Sequence, residues 1–344
     1  MRLGGFSLPS FAFVMVQYRL ADAATAFFLA RFMPTLKLEK TNTSFLCLYF
    51  QLLCLSNLIQ TICFMLHKLS FSFRTFSLLL TLLLVACTAC DKNEDAPAPI
   101  NPNEKGTMRF EFDNVVGEEN LQLGTTRYQN AHGEDFTVTL LNYYLSNFVL
   151  IDEKGNEYVV PQEESYFLVK ESDKNSQFIS IPNVPAGNYK SIRFMVGVDS
   201  LRNTMDLSRR TGVLDPANNT GEDKMYWSWN SGYIFFKMEG MSSKAAPDPN
   251  GENKFRYHIG GFGGYESPTI NNIKTVTLNL GAKAAEVRQN QTPLLHITVD
   301  LLKVFEGTHQ VRIAENGTVM FSPFSTKIAD NYTNMFMFHH MHND

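Results

Sequence analysis

The sequence runs out of cysteine early. All five cysteines (Cys47, Cys54, Cys63, Cys87 and Cys90) fall within the first 90 of 344 residues. The rest of the chain can therefore hold no disulfide, no thiolate nucleophile and no cysteine-bound metal. It is long enough to be held by a core alone. Basic charge is scarce as well. From residue 88 onward there are 23 Lys and Arg against 32 Asp and Glu, a net of about −9. That balance argues against nucleic acid, whose phosphates call for a basic surface. No basic amphipathic helix suggests a membrane contact in this part, and no long apolar stripe of period 3.6 or internal repeat appears. A zinc-protease helix, a phosphate loop and a recognisable Ser/His/Asp order are all missing. Carboxylates are numerous but carry no spacing signal for glycoside hydrolysis.

What is present changes character near residue 90. The first 90 residues are apolar and poor in charge; afterwards Gly, Asn and Asp punctuate alternating runs. Met65 opens a complete export signal. Residues 65–74 (MLHKLSFSFR) are short and basic, and residues 76–86 are an apolar core. That core is shorter than the roughly 20 residues that span a bilayer. It ends in Leu84-Val85-Ala86-Cys87, which resembles the lipobox of bacterial lipoproteins. In those proteins the cysteine is alkylated with diacylglycerol and becomes the new N-terminus. Cys90, after Thr88-Ala89, is the rival site, and an uncleaved transmembrane anchor is the alternative. Residues 45–64 are apolar but interrupted by Asn57 and Gln60. Residues 1–64 read best as an upstream extension, with translation beginning at Met65. The chain then divides into extension 1–64, signal peptide 65–86, lipidated cysteine with flexible tether 87–105, and one domain 106–344. The tether (DKNEDAPAPINPNEK, 91–105) is acidic, rich in Pro and Asn, and without apolar periodicity. Its acidity just after the cysteine resembles surface-export signals, so the expected location is the outer membrane or cell surface.

Strand patterns dominate the domain. Met108-Arg-Phe110-Glu-Phe112 and Val276-Thr-Leu278-Asn-Leu280 alternate apolar and polar residues, the mark of half-buried strands. Further strands are predicted at 136–141, 148–152, 166–169, 192–198, 233–238, 255–259 and 295–299. Glu153-Lys-Gly155-Asn suits a hairpin and Pro185-Ala-Gly187 a tight turn. The expected fold is all-β, an antiparallel sandwich with long decorated loops, two of them expected at 240–254 and 281–293.

Three groups of residues could carry chemistry. Met225-Tyr-Trp227-Ser-Trp229-Asn230-Ser-Gly232-Tyr233 holds both tryptophans of the chain. In a strand they share one face, as core anchors or as a stacking platform; intact indole only donates and cannot bind a metal. Seven histidines follow residue 90: His132, His258, His296, His309, His339, His340 and His342. His258 precedes Gly260-Gly261 at a strand end, where a side chain can point into a site. His296, out of phase with Leu295 and Ile297, reads as a surface or cross-strand residue. The tail from Met335 to His342 gathers imidazoles and thioethers, ligands suited to transition metals and, for thioether, to Cu(I); a frayed end with adventitious affinity is the bland alternative.

Taken in order, Leu141-Asn-Tyr143-Tyr144-Leu145-Ser146-Asn147, Val184-Pro-Ala-Gly187-Asn-Tyr189, Gly197-Val-Asp199, the Trp-x-Trp-Asn-Ser-Gly-Tyr segment and His258-Ile-Gly260 resemble the MbnP-like copper-binding proteins. The resemblance runs from about Met108 to the C-terminus. It implies that Trp227 is oxidised to kynurenine by a partner dihaem enzyme related to cytochrome c peroxidase, with Trp229 as neighbour, and that copper binding depends on the change. It implies a role in copper homeostasis and no catalysis by the chain itself. One copper ion, as Cu(I), is the expected cargo. His258 is the first candidate ligand beside Trp227, followed by Met225, Met335, His340 and His342. The main rival function is a surface carbohydrate- or small-ligand-binding lipoprotein that stacks its ligand on Trp227 and Trp229.

Overall fold

The computed structural model describes residues 100–343, except Asn219, Glu222, Asp223 and Trp229. They belong to the compact unit Asp95–Asp344. The extension, the signal peptide, Cys87, Cys90, most of the tether and Trp229 lie outside the described residues.

Alternation of side chains builds most of the architecture. Among the described residues, sixteen strands and two short α-helices follow in this order: β1 (Lys105–Val116), β2 (Glu119–Asn120), β3 (Tyr128–Gln129), β4 (Asp135–Asp152), β5 (Glu157–Val159), β6 (Tyr166–Lys170), β7 (Phe178–Pro185), β8 (Gly187–Val196), α1 (Ser200–Thr204), β9 (Tyr226–Ser228), β10 (Gly232–Met241), β11 (Lys254–Gly260), β12 (Lys274–Asn279), β13 (Ala285–Val287), β14 (Pro293–Asp300), β15 (Thr318–Val319), α2 (Ser325–Tyr332) and β16 (Phe336–Asn343). The smaller sheet runs β16-β14-β1-β2, with β7 also on β1; the larger runs β12-β8-β4-β10-β11-β15, with β3, β5 and β6 on β4, β13 on β8 and β9 on β10. The two sheets curl around a shared core.

The core is aromatic. Phe110 and Phe112 from β1, Phe194 from β8 and Phe336 from β16 are all buried. Phe112 meets Phe194 edge-on at 5.8 Å and Phe194 meets Phe336 at 5.3 Å. Each such pair adds about 0.5–1.5 kcal/mol beyond the area it buries. A second, smaller core lies on the outer side of the larger sheet: Tyr144, Val198, Leu214, Met225, Tyr233, Ile234, Phe235 and Phe262. Tyr143 therefore faces the main core and its neighbour Tyr144 the smaller one. That double covering is why residues 141–146 of β4 are buried without alternation.

The turns follow their chemistry. Gly155 takes φ +84° between β4 and β5, and Oδ1 of Asp152 accepts from the amides of Lys154 and Asn156 at 2.8 Å. The predicted all-β, two-sheet form with long loops is present, with three differences. Strands β1 and β14 pair in parallel, Phe110 opposite Leu295 and Phe112 opposite Ile297, as do β11 and β15. A parallel pair needs a crossover; here the intervening chain supplies it, and no local alternation encodes strand direction. The longest connection on the larger sheet is 197–225, carrying α1, which is not among the predicted long loops, and β13 interrupts the one at 281–293. The His/Met tail is a regular strand, β16, because Phe336 and Phe338 pack against the main core. Among the described residues no helix is long and apolar enough to cross a membrane.

Candidate metal centre

Two places on the domain gather metal-ligating chemistry. The first is the outer face of the smaller sheet. Along β14, Leu295, Ile297 and Val299 point into the core, so His296 between them points outward. Antiparallel pairing sets His340 opposite His296, and His342 opposite Leu294 one rung along. The rings of His296 and His340 stack at 4.2 Å, 9° from parallel; His342 stands edge-on to both, at 5.3 and 5.0 Å. One ligand nitrogen from each of the three lies within 4.8 Å of the others.

Glu111 completes this cluster from β1, where the same alternation turns it outward between Phe110 and Phe112. It is the register partner of His296, and its Oε2 lies 2.5 Å from His296 Nδ1. Nε2 of His296 is buried and makes no hydrogen bond. Desolvation, then the nearby His296, His339 and His342 imidazoles, hold His340 below histidine's ordinary range. Its neutral, ligating form is thereby favoured.

The second place is the outer face of the larger sheet. In β11, Phe255, Tyr257 and Ile259 face the core and His258 and Gly260 face away. Trp227 of β9 is half-buried and packs against the smaller core. Its ring lies over Gly260, where an added Cβ would stand 2.7 Å from Cζ3 and 2.3 Å from the Tyr233 carbonyl oxygen. Phe321 meets the ring edge-on at 6.0 Å. Two residues back along the same strand face, His258 Nε2 lies 2.7 Å from Glu239 Oε1. Lys237, the register partner of His258, is buried with its Nζ 3.5 Å from the same oxygen. The hydrogen bond to the His258 imidazole, with a smaller contribution from Lys237, lowers the Glu239 pKa against its burial, so the carboxylate stays ionised.

The predicted ligands thus divide. His340 and His342 come together, joined by His296. Trp227 and His258 come together on the opposite outer face, with the shared core between. Met225 is buried in the smaller core and Met335 in the main one, where their thioethers pack against apolar neighbours. Around Trp227, Tyr233 is buried, its hydroxyl donating to the Leu214 carbonyl, and Gly232 takes φ +73° against Asn203 and Phe262. Asn230 sits in the turn between β9 and β10. Of the other histidines, His132 contacts the Phe305 carbonyl and His309 pairs with Asp330. His296 and Glu111 were missed as site residues. Alternation marks both as outward-facing, but only strand register brings them to His340.

Family membership and the histidine cluster together support a metal-binding role. No curated protein matches the chain. A solved structure, MbnP from Methylosinus trichosporium, is similar at 17% identity with a TM-score of 0.44, covering 64% of this chain and 82% of that one. His340 and His342 lie beyond the stretch that the family model matches. That model, of MbnP, matches residues 105–321, more than half of the sequence, and the chain belongs to the MbnP family, as a binding protein rather than an enzyme.

Proposed function

We propose that this chain is an exported, lipid-anchored protein of copper homeostasis that binds one Cu(I) ion beside Trp227 after that residue is oxidised to kynurenine. The observation that carries the reading is the placement of Trp227 over Gly260, two residues along one strand face from His258. The bare backbone at Gly260 is a cradle that any Cβ would fill, so the ring is held against the strand that carries the imidazole. Unmodified indole offers a metal no lone pair. Opening its five-membered ring would expose a carbonyl and an aryl amine, both able to ligate. Glu239, on one nitrogen of His258, fixes the tautomer and leaves the other nitrogen for the ion, as carboxylates do behind many metal-bound histidines. Copper itself would supply only its affinity for these donors. The oxidising partner is a dihaem enzyme related to cytochrome c peroxidase, and the half-buried position of Trp227 calls for an oxidant that acts from outside the ring's immediate contacts.

Peptide mass spectrometry tests the reading. Protein made with the dihaem partner should show one carbon exchanged for one oxygen at Trp227, and protein made without it should not. Copper should load only in the first case, and Trp227→Phe should hold little copper in either. Full Cu(I) loading beside His258 in partner-free protein with intact Trp227 would overturn the mechanism.

A further inference from the structure

We infer that the outer face of the smaller sheet carries a second metal site, built from His296, His340 and His342, which takes an imidazole-seeking divalent ion, Zn(II) or Cu(II), without any oxidation of Trp227. Three observations carry it. The first is proximity: the three ligand nitrogens lie within 4.8 Å of one another. Nitrogens bound to one ion at about 2.0–2.1 Å stand roughly 3.3 Å apart in a tetrahedron. Small rotations of the exposed His340 and His342 side chains close that difference; no backbone need move, since β14 and β16 already hold the residues in register.

The second observation is the unspent nitrogen. Glu111 engages Nδ1 of His296, so the free lone pair is on Nε2, which is buried with no hydrogen-bond partner. A buried polar atom left unpaired costs free energy unless something coordinates it. A metal at the centre of the three rings would satisfy it. Glu111 then serves as the outer carboxylate that orients a ligating histidine. Glu111 is a positioning residue here, not a ligand.

The third is the donor set and its place. The three ligands are all imidazoles; a set with neither thiolate nor thioether suits Zn(II) and Cu(II) better than Cu(I). The main core separates it from Trp227 and His258, so neither site can lend the other a ligand. His340 and His342 also fall past residue 321, where the family match ends. Two of the three ligands therefore come from β16, outside the matched stretch. Exposure of His340 and His342 leaves coordination positions open to water or to a donor from another molecule, an arrangement suited to accepting and releasing an ion.

The test uses the full chain, made without a polyhistidine tag and without the dihaem partner, titrated calorimetrically with Zn(II) and with Cu(II). One equivalent of either ion should bind to wild type and to Trp227→Phe alike. His296→Ala and the double variant His340→Ala/His342→Ala should each lose affinity at least tenfold, while His258→Ala should not. Glu111→Gln should weaken binding by a smaller factor. Electron paramagnetic resonance of the Cu(II) form should show hyperfine coupling to about three nitrogens. Should the alanine variants fail to fold, carbethoxylation of wild type decides: Zn(II) should protect His296, His340 and His342 and leave His132 and His309 reactive. Binding that needs intact or oxidised Trp227, or no protection of the three histidines, would overturn the second site and leave the copper reading standing. A failure of kynurenine formation with Zn(II) binding intact would do the reverse.

Discussion

Trp227 rests on the backbone of Gly260, so closely that a methyl group there would stand 2.7 Å from the ring and 2.3 Å from the Tyr233 carbonyl oxygen. One of these neighbours is backbone and cannot rotate away. Gly260→Ala should therefore push β10 and the Trp227 ring away from β11, at a cost of about 1–3 kcal/mol, typical of overpacking. For a domain of this size the melting temperature should fall roughly 2–4 °C for each kcal/mol. Tryptophan emission should shift to the red as Trp227 is displaced. A variant with wild-type melting and emission would show that the ring does not depend on this glycine.

A second expectation separates ligand from scaffold at His258. The side chain is mostly buried on the outer sheet face and pairs with Glu239, but it lies outside both apolar cores, so His258→Ala should leave the protein folded with a modestly lower unfolding midpoint. Copper affinity of the oxidised protein should fall at least severalfold, each tenfold step being about 1.4 kcal/mol. Glu239→Gln should give a smaller loss, since it removes only the orienting carboxylate. Competition against a Cu(I) chelator measures both; equal affinities in wild type and His258→Ala would exclude the residue.

These two residues also mark how far the sequence could be read. Alternation in β1, β11, β12 and β14 was legible because each has one face on the core and one face out. The β4–β5 hairpin turn was legible because Asp152 and Gly155 satisfy local rules. Direction and register were not, since they depend on partners far away in sequence. The bulge between His296 and Ile297 decides that His340, rather than His339, stands opposite His296. A terminal run of His and Met accordingly looked like one pool of ligands. In the fold its members are sorted: Met335 and Phe336 go inward, His340 and His342 outward. The burial of Met225 was equally hidden, because the smaller core forms only when 197–225 folds over the outer sheet face.

Anchoring is expected to depend on Cys87. The basic, apolar and lipobox segments follow Met65 in the order that export requires. Translation from Met65 should suffice, and radiolabelled fatty acid should enter wild type but not Cys87→Ala. Loss of labelling in Cys90→Ala alone would move the processed cysteine three residues on.

The last expectation concerns acid stability, and it rests on Glu134. This buried carboxylate accepts from Asn130 Nδ2 at 2.8 Å and from the amides of Ile313 and Ala314 at 2.8 and 3.0 Å. It thereby ties the segment before β4 to the loop before β15. Burial pushes its pKa up, but the hydrogen bonds from Ala314, Asn130 and Ile313 together outweigh that and leave it below glutamate's usual value. With the folded pKa below the unfolded one, the stabilising contribution is fully present above the unfolded value, near 4.3. It disappears as pH falls through the folded value. Glu134→Gln keeps the shape but loses the charge that three donors share. Hydrogen bonds to a charged group contribute about 1.5–3 kcal/mol each, so a loss of a few kcal/mol is expected at pH 7. The difference between wild type and variant should shrink as pH drops from 5 toward 3. Urea unfolding at a series of pH values measures it. A gap that stays constant over that range would mean that the charge of Glu134 contributes nothing and that only its packing matters.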